Sequence, residues 1–457
     1  MHTPSTAAAA EPADHARRVQ ALREQLRDAG ESGVALGLAK TSSNLFRDRQ
    51  EARKRRLDLR DFCHVLQVDA DAGWVEVEGL CSFDALVDAT LPHGVMPAVV
   101  PQLKSITVAG AVAGVGIEAT SFRQGLVHDT LLAVDVLLPD GEVLHCTPHN
   151  EHRELFFGLP NSYGTLGYAL KLRLRTVPVK AYVQVQHQRH EHPDAFICAL
   201  AGQFHDDADF VDGVVFAADR QVLSVACFVD DAPWHSDYSF EKIYYRSLLE
   251  RDTDLLTTRD YLWRWDTDWF WCSRQFGAQH PLLRRLMGRR RLNSRTYTRW
   301  MRWNSRLGLT RRWAQWRGRC TESVIQDVDI PLSQAGEFLQ FLLREIPILP
   351  VWVCPIRCAD AQQRFPLYPL RADTPYVNFG FWDVIDSAVP QPPGTYNRRV
   401  ETKVMELGGI KSLYSDSFFS RDEFARAYGM AEYARLKARY DPQHRLLDLY
   451  DKCVRRA

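Results

Sequence analysis

A glycine-rich segment between Pro101 and Gly125 constrains this chain more than any other stretch of its sequence. It reads PQLKSITVAGAVAGVGIEATSFRQG, and its glycines at 110, 114, 116 and 125 alternate with small apolar and hydroxyl residues. Because glycine has no side chain, such a segment lets the backbone approach a bulky anion and direct N–H groups towards it. The segment therefore predicts a pyrophosphate-binding loop, with a purely structural glycine-rich turn as the alternative.

Part of this segment also matches a different nucleotide-binding motif. Residues 114–119 fit the G-x-G-x-x-A fingerprint of dinucleotide-binding βαβ units. That fingerprint requires a strand before it, a helix after it and an acidic residue about 20 positions further on. Residues 120–125 are too polar and irregular to begin such a helix, so we do not assign a βαβ nucleotide-binding unit.

Three other segments accompany the glycine-rich one in a characteristic order. Residues 40–46 (KTSSNLF) precede it, and residues 134–142 (VDVLLPDGE) and 158–167 (GLPNSYGTLG) follow it. In this order the segments resemble the FAD-binding domain of vanillyl-alcohol-oxidase-type enzymes. In that domain one segment packs on the flavin, a glycine-rich loop holds the diphosphate and a Gly-x-x-Gly turn closes the site.

Within that superfamily the chain is most similar to the branch of sterol Δ24-reductases and bacterial methylene-fatty-acyl reductases. Weaker similarity continues in VIQDVDIP (324–331), YVNFG (376–380), LYSD (413–416) and YDKC (450–453). The resemblance implies an α+β fold, with an FAD-binding domain of two α/β subdomains and a cap domain of antiparallel sheet plus helices. We expect an N-terminal segment and helix at 1–30, the FAD-binding domain at 31–180, the cap at 181–420, and a C-terminal helical segment at 421–457 that packs back on the FAD domain.

The resemblance also implies which residues contact FAD. They lie in the first segment, the glycine-rich loop and the closing turn: Lys40, Thr41, Ser42, Ser43, Asn44, Pro101, Ser105, Thr107, Ala109, Gly110, Gly114, Gly116, Ser121, Gly125, Gly164, Thr165 and Gly167. Covalently flavinylated relatives carry a histidine in the first loop, and residues 40–44 contain none. We therefore expect non-covalent FAD, with NADPH as the electron donor that the sterol enzymes of this branch imply.

Candidate catalytic residues come from two places in the expected cap. An aromatic stretch at 261–271 is interleaved with Arg264, Asp266 and Asp268, and is interpreted as a wall of the substrate channel or, alternatively, as an aromatic core. Tyr414 and Asp416 form the second group, although a structural tyrosine is nearly as good an interpretation. We expect Tyr414, Asp416 or Asp266 to act as proton donor, with Arg264 tuning the flavin or holding a headgroup.

Charge is distributed unevenly along the chain, although Lys+Arg and Asp+Glu both total 57. Residues 269–321 contain fourteen arginines and no Asp or Glu, with tryptophans at 300, 303, 313 and 316. Arginines attract anionic headgroups and tryptophans favour the interface, so this region predicts peripheral membrane contact. A solvated basic face and a nucleic-acid surface are the alternatives, and we expect no nucleic-acid partner.

These observations lead to one functional hypothesis and three alternatives. We expect an FAD- and NADPH-dependent reductase that converts a 10-methylene acyl chain of a phospholipid into a 10-methyl chain. The alternatives are a sterol Δ24-reductase-like enzyme, a flavin-dependent oxidase or desaturase of a branched acyl chain or alcohol, and a membrane-binding partner of a lipid methyltransferase. The ten scattered cysteines predict no metal site, and the absence of a signal peptide or long apolar run predicts a cytoplasmic protein at the inner face of the membrane.

Overall fold

The computed structural model describes residues 12–28, 34–40, 46–47, 54–308, 316 and 318–455. Its strands are β1 Leu36–Ala39, β2 Arg55–Asp58, β3 Val65–Asp69, β4 Trp74–Glu78, β5 Val95–Pro97, β6 Leu131–Leu137, β7 Val143–Cys146, β8 Tyr168–Pro178, β9 Tyr182–His190, β10 Phe210–Ala217, β11 Arg220–Val229, β12 Thr253–Thr257, β13 Cys320–Pro331, β14 Val351–Ile356, β15 Tyr376–Ser387 and β16 Ile410–Lys411. Its α-helices are α1 Pro12–Asp28, α2 Phe83–Thr90, α3 Val108–Gly114, α4 Ser121–Gln124, α5 Arg153–Gly158, α6 Pro193–Gly202, α7 Tyr244–Ser247, α8 Thr258–Leu262, α9 Pro281–Met287, α10 Ser294–Leu307, α11 Ala335–Glu345, α12 Thr395–Glu406, α13 Arg421–Ala427, α14 Met430–Tyr440 and α15 Leu449–Cys453.

The first half of the chain is organised around a sheet of six strands. Its order is β3-β4-β8-β6-β7, with β5 also paired to β8, and each of these pairs is antiparallel. Buried and half-buried residues alternate along β8, because successive side chains point to opposite faces of a strand. Alternating residues and turn residues at 65–78 and 131–146 predict two hairpins, and the structure has them as β3–β4 and β6–β7.

A smaller layer lies beside this sheet and completes the FAD-binding part. The parallel pair β1–β2 packs with α1, and Leu22, Leu26, Leu36 and Leu57 form their shared core. Tyr168 of β8 belongs to the same core, which attaches the small layer to the six-stranded sheet. Apolar burial between the two layers therefore fixes their relative position.

The second half of the chain forms an antiparallel sheet of eight strands, in the order β12-β9-β11-β10-β14-β15-β13-β16. Helices α6 and α11 pack on it through a core that includes Phe196, Phe338 and Phe379. Strands β9 and β12 were not predicted from the sequence. Strand β9 reads YVQVQHQRH, and its polar face hides the signal because His187 is buried there with Ser224 Oγ at 2.9 Å from its Nδ1.

The chain passes from the first sheet to the second between Pro178 and Tyr182, and it returns to the first part at its C-terminal end. On α14 the buried residues Tyr433, Leu436 and Tyr440 share one face, as their spacing predicts. The Nζ of Lys437 donates to the carbonyl of Thr165 at 2.7 Å, so this helix contacts the turn at 161–167. The α+β architecture is confirmed, while the residue bounds of the four expected segments stay predictions.

Candidate active site

The glycine-rich segment forms α3 and presents one face of bare backbone. Val108, Ala111 and Val112 are buried, whereas Ala109, Gly110, Ala113 and Gly114 remain partly accessible. Positions three and four apart lie on the same helical face. This accessible face therefore carries nothing larger than a methyl group, which suits close contact with a large planar or phosphorylated group. We name residues 109, 110, 113 and 114 the Ala/Gly face.

The remaining glycines of the segment are required by packing within the protein. A Cβ on Gly116 would lie 2.6 Å from Val127 Cγ2 and 3.1 Å from Pro101 Cγ, and Gly125 adopts φ +76° against Asp129. Helix α3 runs directly into Gly114, so a helix and not a strand precedes the G-x-G-x-x-A match. This geometry excludes the βαβ nucleotide-binding unit.

The hydroxyl residues expected to contact the cofactor have different environments. Thr107 is the N-cap residue of α3, and its Oγ1 lies 2.8 Å from the position of a Cβ on Gly110. Ser121 Oγ accepts the N–H of Glu118 at 3.1 Å, and Thr165 Oγ1 donates to the carbonyl of Ser162 at 2.7 Å. Ser105 is half-buried and lies beside Ser294 of the cap, with 3.4 Å between their hydroxyl oxygens.

The turn at 161–167 closes over the Ala/Gly face through Tyr163. Its N–H donates to the carbonyl of Ala113 at 3.1 Å and its hydroxyl donates to that of Gly114 at 3.2 Å. The turn requires left-handed backbone at Asn161 and Gly164 and a φ of +155° at Gly167. Asn161 Oδ1 and Ser162 Oγ are buried with no hydrogen-bond partner among the described residues. Accessible backbone beside unpartnered polar atoms fits a polar cofactor such as FAD.

The first expected flavin segment is only partly described. Lys40 is half-buried, while Thr41, Ser42, Ser43 and Asn44 lie outside the described residues. The chain is described again at Phe46, whose N–H donates to the carbonyl of Tyr414 at 2.9 Å. Its ring also meets the Tyr414 ring edge-on, with 5.8 Å between centroids. Tyr414 therefore lies next to the end of this segment.

A phenol, a carboxyl and an indole meet at this point. The Nε1–H of Trp382 donates to the hydroxyl of Tyr414 at 2.8 Å, and the carboxyl of Asp327 lies beside that hydroxyl, with its Oδ1 buried and without a hydrogen-bond partner among the described residues. Asp327 lies on β13 and Trp382 on β15, and these strands form one antiparallel pair. A Cβ on Gly380 would lie 2.6 Å from Asp327 Oδ1 and from Trp382 Cζ2, so glycine makes room for both side chains.

The Asp327 carboxyl is in an environment that favours its neutral form. Burial is the main cause that raises the pKa of Asp327 to about 8; the neighbouring Tyr414 hydroxyl opposes this rise and the nearby Asp329 carboxyl contributes to it. Asp329 lies two residues along the same strand and accepts from Tyr368 at 2.6 Å and Asn378 at 2.8 Å. Burial also raises the pKa of the Tyr414 phenol well above its usual value. At neutral pH the pair therefore holds two protons.

Arg264 lies in a different place, inside a buried polar network between the two sheets. Its guanidinium contacts Asp212 at 2.8 Å and Glu118 at 3.5 Å, and it stacks on the Tyr261 ring at 3.9 Å. Burial raises the pKa of Glu118 to about 7, an effect that Arg264 opposes. Since Glu118 belongs to the glycine-rich segment and Asp212 to β10, Arg264 joins the two halves of the protein.

The two other candidate acids also have protein partners. Asp266 Oδ1 accepts the N–H of Lys104 at 2.9 Å and the hydroxyl of Ser294 at 2.5 Å, and burial raises the pKa of Asp266. The carbonyl of Asp416 accepts from Lys411 Nζ at 2.5 Å, and Lys411 also pairs with Glu401 at 3.0 Å. Tyr414 is thus the candidate that the structure brings beside a second acid.

The aromatic stretch at 261–271 is largely buried and packs on the same group. Trp265 stacks on Phe270 with 5.0 Å between ring centroids, and Phe270 contacts Trp382 at 4.6 Å. These rings back the indole that donates to Tyr414. They are a packed aromatic core beside the candidate acids, and aromatic pairs of this kind add about 0.5–1.5 kcal/mol each beyond their buried area.

Sequence reasoning missed Asp327 and Trp382, although both belong to or adjoin segments that carry the resemblance. Asp327 lies within VIQDVDIP, where aspartates at alternate positions are a signal of one shared strand face. Trp382 follows YVNFG by one residue. In the structure, Asp327 and Asp329 share a face of β13, which Tyr368, Asn378 and Tyr414 cover. The pair of alternating aspartates is the feature that could have identified this site.

Comparison with known proteins agrees with this geometry. A protein family described as an FAD binding domain matches residues 13–147. The chain is 25% identical to the Delta(24)-sterol reductase of Rattus norvegicus over 98% of its length and 87% of that protein. It is 24% identical to the Delta(24)-sterol reductase of Pisum sativum over 89% of its length and 77% of that protein.

A third relative differs in its named reaction. The chain is 25% identical, over 39% of its own length, to the decaprenylphosphoryl-beta-D-ribose oxidase of Mycolicibacterium smegmatis. Together with the FAD binding domain, these similarities confirm the expected vanillyl-alcohol-oxidase-type fold, its FAD cofactor and its place in the sterol-reductase-like branch.

Proposed function

We propose that this FAD-linked oxidoreductase reduces an isolated carbon–carbon double bond in a lipid, and that its substrate is the 10-methylene acyl chain of a phospholipid. The product is the 10-methyl chain, and NADPH is the electron donor. The observation that carries the proposal is the Tyr414–Asp327 pair, because it supplies protons at neutral pH beside the segment expected to contact the flavin.

An isolated double bond requires a proton as well as a hydride, because no carbonyl polarises it. Protonation of the terminal CH2 carbon develops cationic character on the branch carbon, which then accepts the hydride. The net change adds one H⁺ and one hydride across the double bond, and both electrons come from NADPH through the flavin. Bound FAD supplies the hydride chemistry.

The geometry of Tyr414 explains how its proton becomes available. In this proposal the protonated Asp327 donates its O–H to the neighbouring phenol oxygen, which also accepts the N–H of Trp382. Both acceptor sites of the phenol are then used, and its own hydrogen is left for the substrate. As that proton moves to the CH2 carbon, the proton of Asp327 replaces it on Tyr414, and water later restores the carboxylic acid.

The residues that hold the cofactor in this proposal are those of the Ala/Gly face and the closing turn. Backbone at Gly110 would approach the diphosphate, and Ser162 and Asn161 would offer polar atoms that have no described partner. No histidine lies in the first segment, so the flavin stays non-covalent.

One surface feature favours an acyl phospholipid over a sterol. The named relatives are sterol reductases, so reduction of a lipid double bond is the part of their chemistry that we carry over. The described part of the region 269–321 adds exposed arginines and tryptophans, which suit a substrate with an anionic headgroup. The carbon to be reduced then lies on an acyl chain.

The decisive experiment is a single turnover under anaerobic conditions. The protein is reduced with NADPH, mixed with a 10-methylene acyl phospholipid or with a Δ24 sterol, and the products are identified by mass spectrometry. Reduction of the methylene lipid alone supports the proposal, whereas reduction of the sterol alone replaces it with the sterol reductase alternative. Peroxide release from a saturated branched lipid in air would instead identify the oxidase that the third relative's name suggests.

A further inference from the structure

Helices α9 and α10 expose large apolar side chains together with arginines, and they bury several polar side chains. On α9 the exposed fractions of Leu282 and Leu286 are 70% and 78%, while Arg284 is buried and pairs with Asp268. Leu282 and Leu286 are four residues apart and share the outer face. Surface helices of soluble proteins normally show the opposite arrangement, with leucines turned inward. The outer face of α9 therefore lacks an apolar environment among the residues that the structure describes.

Helix α10 repeats this arrangement. Ser294, Thr296 and Thr298 are buried, whereas Trp303 on the outer side is 61% exposed and Trp300 is partly exposed. Both helices also contribute to one small apolar cluster, through Met287 of α9 and Met301 of α10. Phe276 of this cluster contacts Trp300 at 5.8 Å, and Leu283 of α9 lies 3.3 Å from the position of a Cβ on the adjoining Gly277, so the two helices present adjacent parts of one surface. We name Leu282, Leu286, Trp300 and Trp303 the Leu/Trp surface.

Exposed arginines surround the Leu/Trp surface. Seven of them lie on α9, α10 and the turn between these helices: Arg285, Arg289, Arg290, Arg291, Arg295, Arg299 and Arg302. Three pair with carboxylates of neighbouring segments: Arg285 with Glu241, Arg289 with Asp237 and Arg295 with Asp84. Among the described residues, no carboxylate lies within 4.0 Å of Arg290 or Arg291. The surface therefore combines apolar side chains with excess positive charge.

We propose that the Leu/Trp surface docks on an anionic phospholipid bilayer, with the leucines and tryptophans at the headgroup level and the arginines against lipid phosphates. The apolar side chains match the acyl boundary of the bilayer and the arginines match its phosphates, because interfacial helices bind through buried apolar area plus attraction to anionic lipids. No described helix is long and apolar enough to span a bilayer. The exposed tryptophans favour the headgroup level of a bilayer and therefore point to a lipid surface over an acidic protein partner.

The docking surface also lies at one end of a series of aromatic rings that leads to Tyr414. Trp300 contacts Tyr297 at 5.9 Å, Tyr297 stacks on Trp269 at 6.3 Å, and Trp269 contacts Phe46 at 5.8 Å. Phe46 in turn packs on Tyr414. A docked protein would therefore hold the candidate acids on the side that faces the lipid. This orientation rests on the proposed function, whereas docking itself does not.

Vesicle co-sedimentation of the full chain tests the docking. Wild type should bind vesicles of phosphatidylglycerol with phosphatidylcholine, and bind phosphatidylcholine alone more weakly. The triple variant Leu282→Ser, Leu286→Ser and Trp303→Ser should bind at least about tenfold more weakly, because it removes the apolar contact. The double variant Arg290→Glu and Arg291→Glu should lose affinity for the anionic vesicles and change little on phosphatidylcholine.

Matched controls come from exposed apolar residues elsewhere, Trp234→Ser and Val389→Ser, which should bind like wild type. Wild-type affinity in the triple variant, or equal loss in the controls, would overturn the proposal. Tight salt-dependent binding to duplex DNA without vesicle binding would overturn it in favour of nucleic acid. Since the assay uses no lipid double bond and no reductant, its result is independent of whether the proposed reduction occurs.

Discussion

Trp382 Nε1 donates to the hydroxyl of Tyr414 at 2.8 Å, and this contact joins the cap sheet to the segment that follows its last strand. The indole is backed by Phe270 and the aromatic stretch at 261–271, which fixes its orientation. Asp327 approaches the same phenol from the adjacent strand β13. The phenol is therefore oriented by two neighbours and is not a mobile surface side chain.

Tyr414→Phe tests the proton donor directly. The variant keeps the ring that packs on Phe46 but lacks the proton, so we expect single-turnover reduction of the double bond to fall by about 10²–10⁴-fold. FAD content and reduction by NADPH should stay at wild-type levels. Tyr440→Phe is the matched control, because the Tyr440 hydroxyl has no hydrogen-bond partner among the described residues. Full single-turnover activity in Tyr414→Phe would remove this residue from the mechanism.

Asp327 should impose a characteristic pH dependence on the reaction. Burial raises the pKa of Asp327 to about 8, so the acid form that donates to Tyr414 predominates below this pH and is lost above it. We expect the rate of double-bond reduction to fall as pH rises through about 8, and Asp327→Asn to be slow with no such step. A profile flat to pH 10 in the wild type would contradict this assignment.

The same residue should make the fold less stable at higher pH. The folded pKa of Asp327 lies above its usual value of 3.8, so the folded state holds its proton where the unfolded chain has already lost it. Stability therefore decreases from about pH 4 to about pH 8 and then levels off. Asp327→Asn should remove this decrease, giving a higher midpoint of thermal unfolding than wild type at pH 8. Equal midpoints at pH 8 would show that the carboxyl is not desolvated.

Variants of Arg264 distinguish a structural role of this residue from a catalytic one. Removing one partner from a buried ion pair costs about 3–5 kcal/mol, so Arg264→Ala should be strongly destabilised in chemical denaturation. The nearby Arg259→Ala should lose at most about 1 kcal/mol, because the pair of Arg259 with Asp88 is about half exposed on both sides. If Arg264 acts only by joining the two halves, the folded fraction of the variant should retain its reduction rate per bound FAD. A rate loss at full folding and full FAD content would instead support the catalytic role.

The Ala/Gly face predicts where FAD binding can be blocked. Ala113→Leu adds a bulky side chain to the accessible face of α3, and we expect it to weaken FAD binding by at least tenfold, about 1.4 kcal/mol. Ala195→Leu, on the exposed side of α6, is the control and should bind FAD normally. Flavin fluorescence titration of the apoprotein measures both. Acid precipitation of the holoprotein should release all yellow colour into the supernatant, since the cofactor is expected to be non-covalent.

Gly380→Ala probes the space that the side chains of Asp327 and Trp382 occupy. Its Cβ would lie 2.6 Å from both Asp327 Oδ1 and Trp382 Cζ2, so either side chain must move. We expect slower double-bond reduction with unchanged FAD content. At Gly202 a Cβ meets nothing within 4 Å, so Gly202→Ala should leave the rate unaffected. A wild-type rate in Gly380→Ala would mean that the position of Asp327 does not matter for the reaction.

Local sequence determined the cofactor and the class of fold. The glycines and small residues of 101–125 indicate close approach of the backbone to a ligand without reference to distant segments. Backbone freedom and the absence of a Cβ are properties of the residues themselves. The hairpins at 65–78 and 131–146 were predictable for the same reason, since alternation and turn residues act over short distances. Tyr414 could be proposed from its motif, although its partner could not.

Only the tertiary structure decided which side chains meet. In the sequence, Asp327 is one polar position on an alternating strand. No neighbouring residue in the sequence indicates that Tyr414 and Tyr368 cover this face of the strand. The sequence around Arg264 suggests a residue of the substrate channel. The structure instead pairs it with Asp212 and Glu118, which are distant in sequence. Burial of a charge depends on segments far apart in the chain, and burial is what raises the pKa of Asp327. The sequence thus determined an FAD-binding α+β protein, and packing between the two sheets determined where its acids lie.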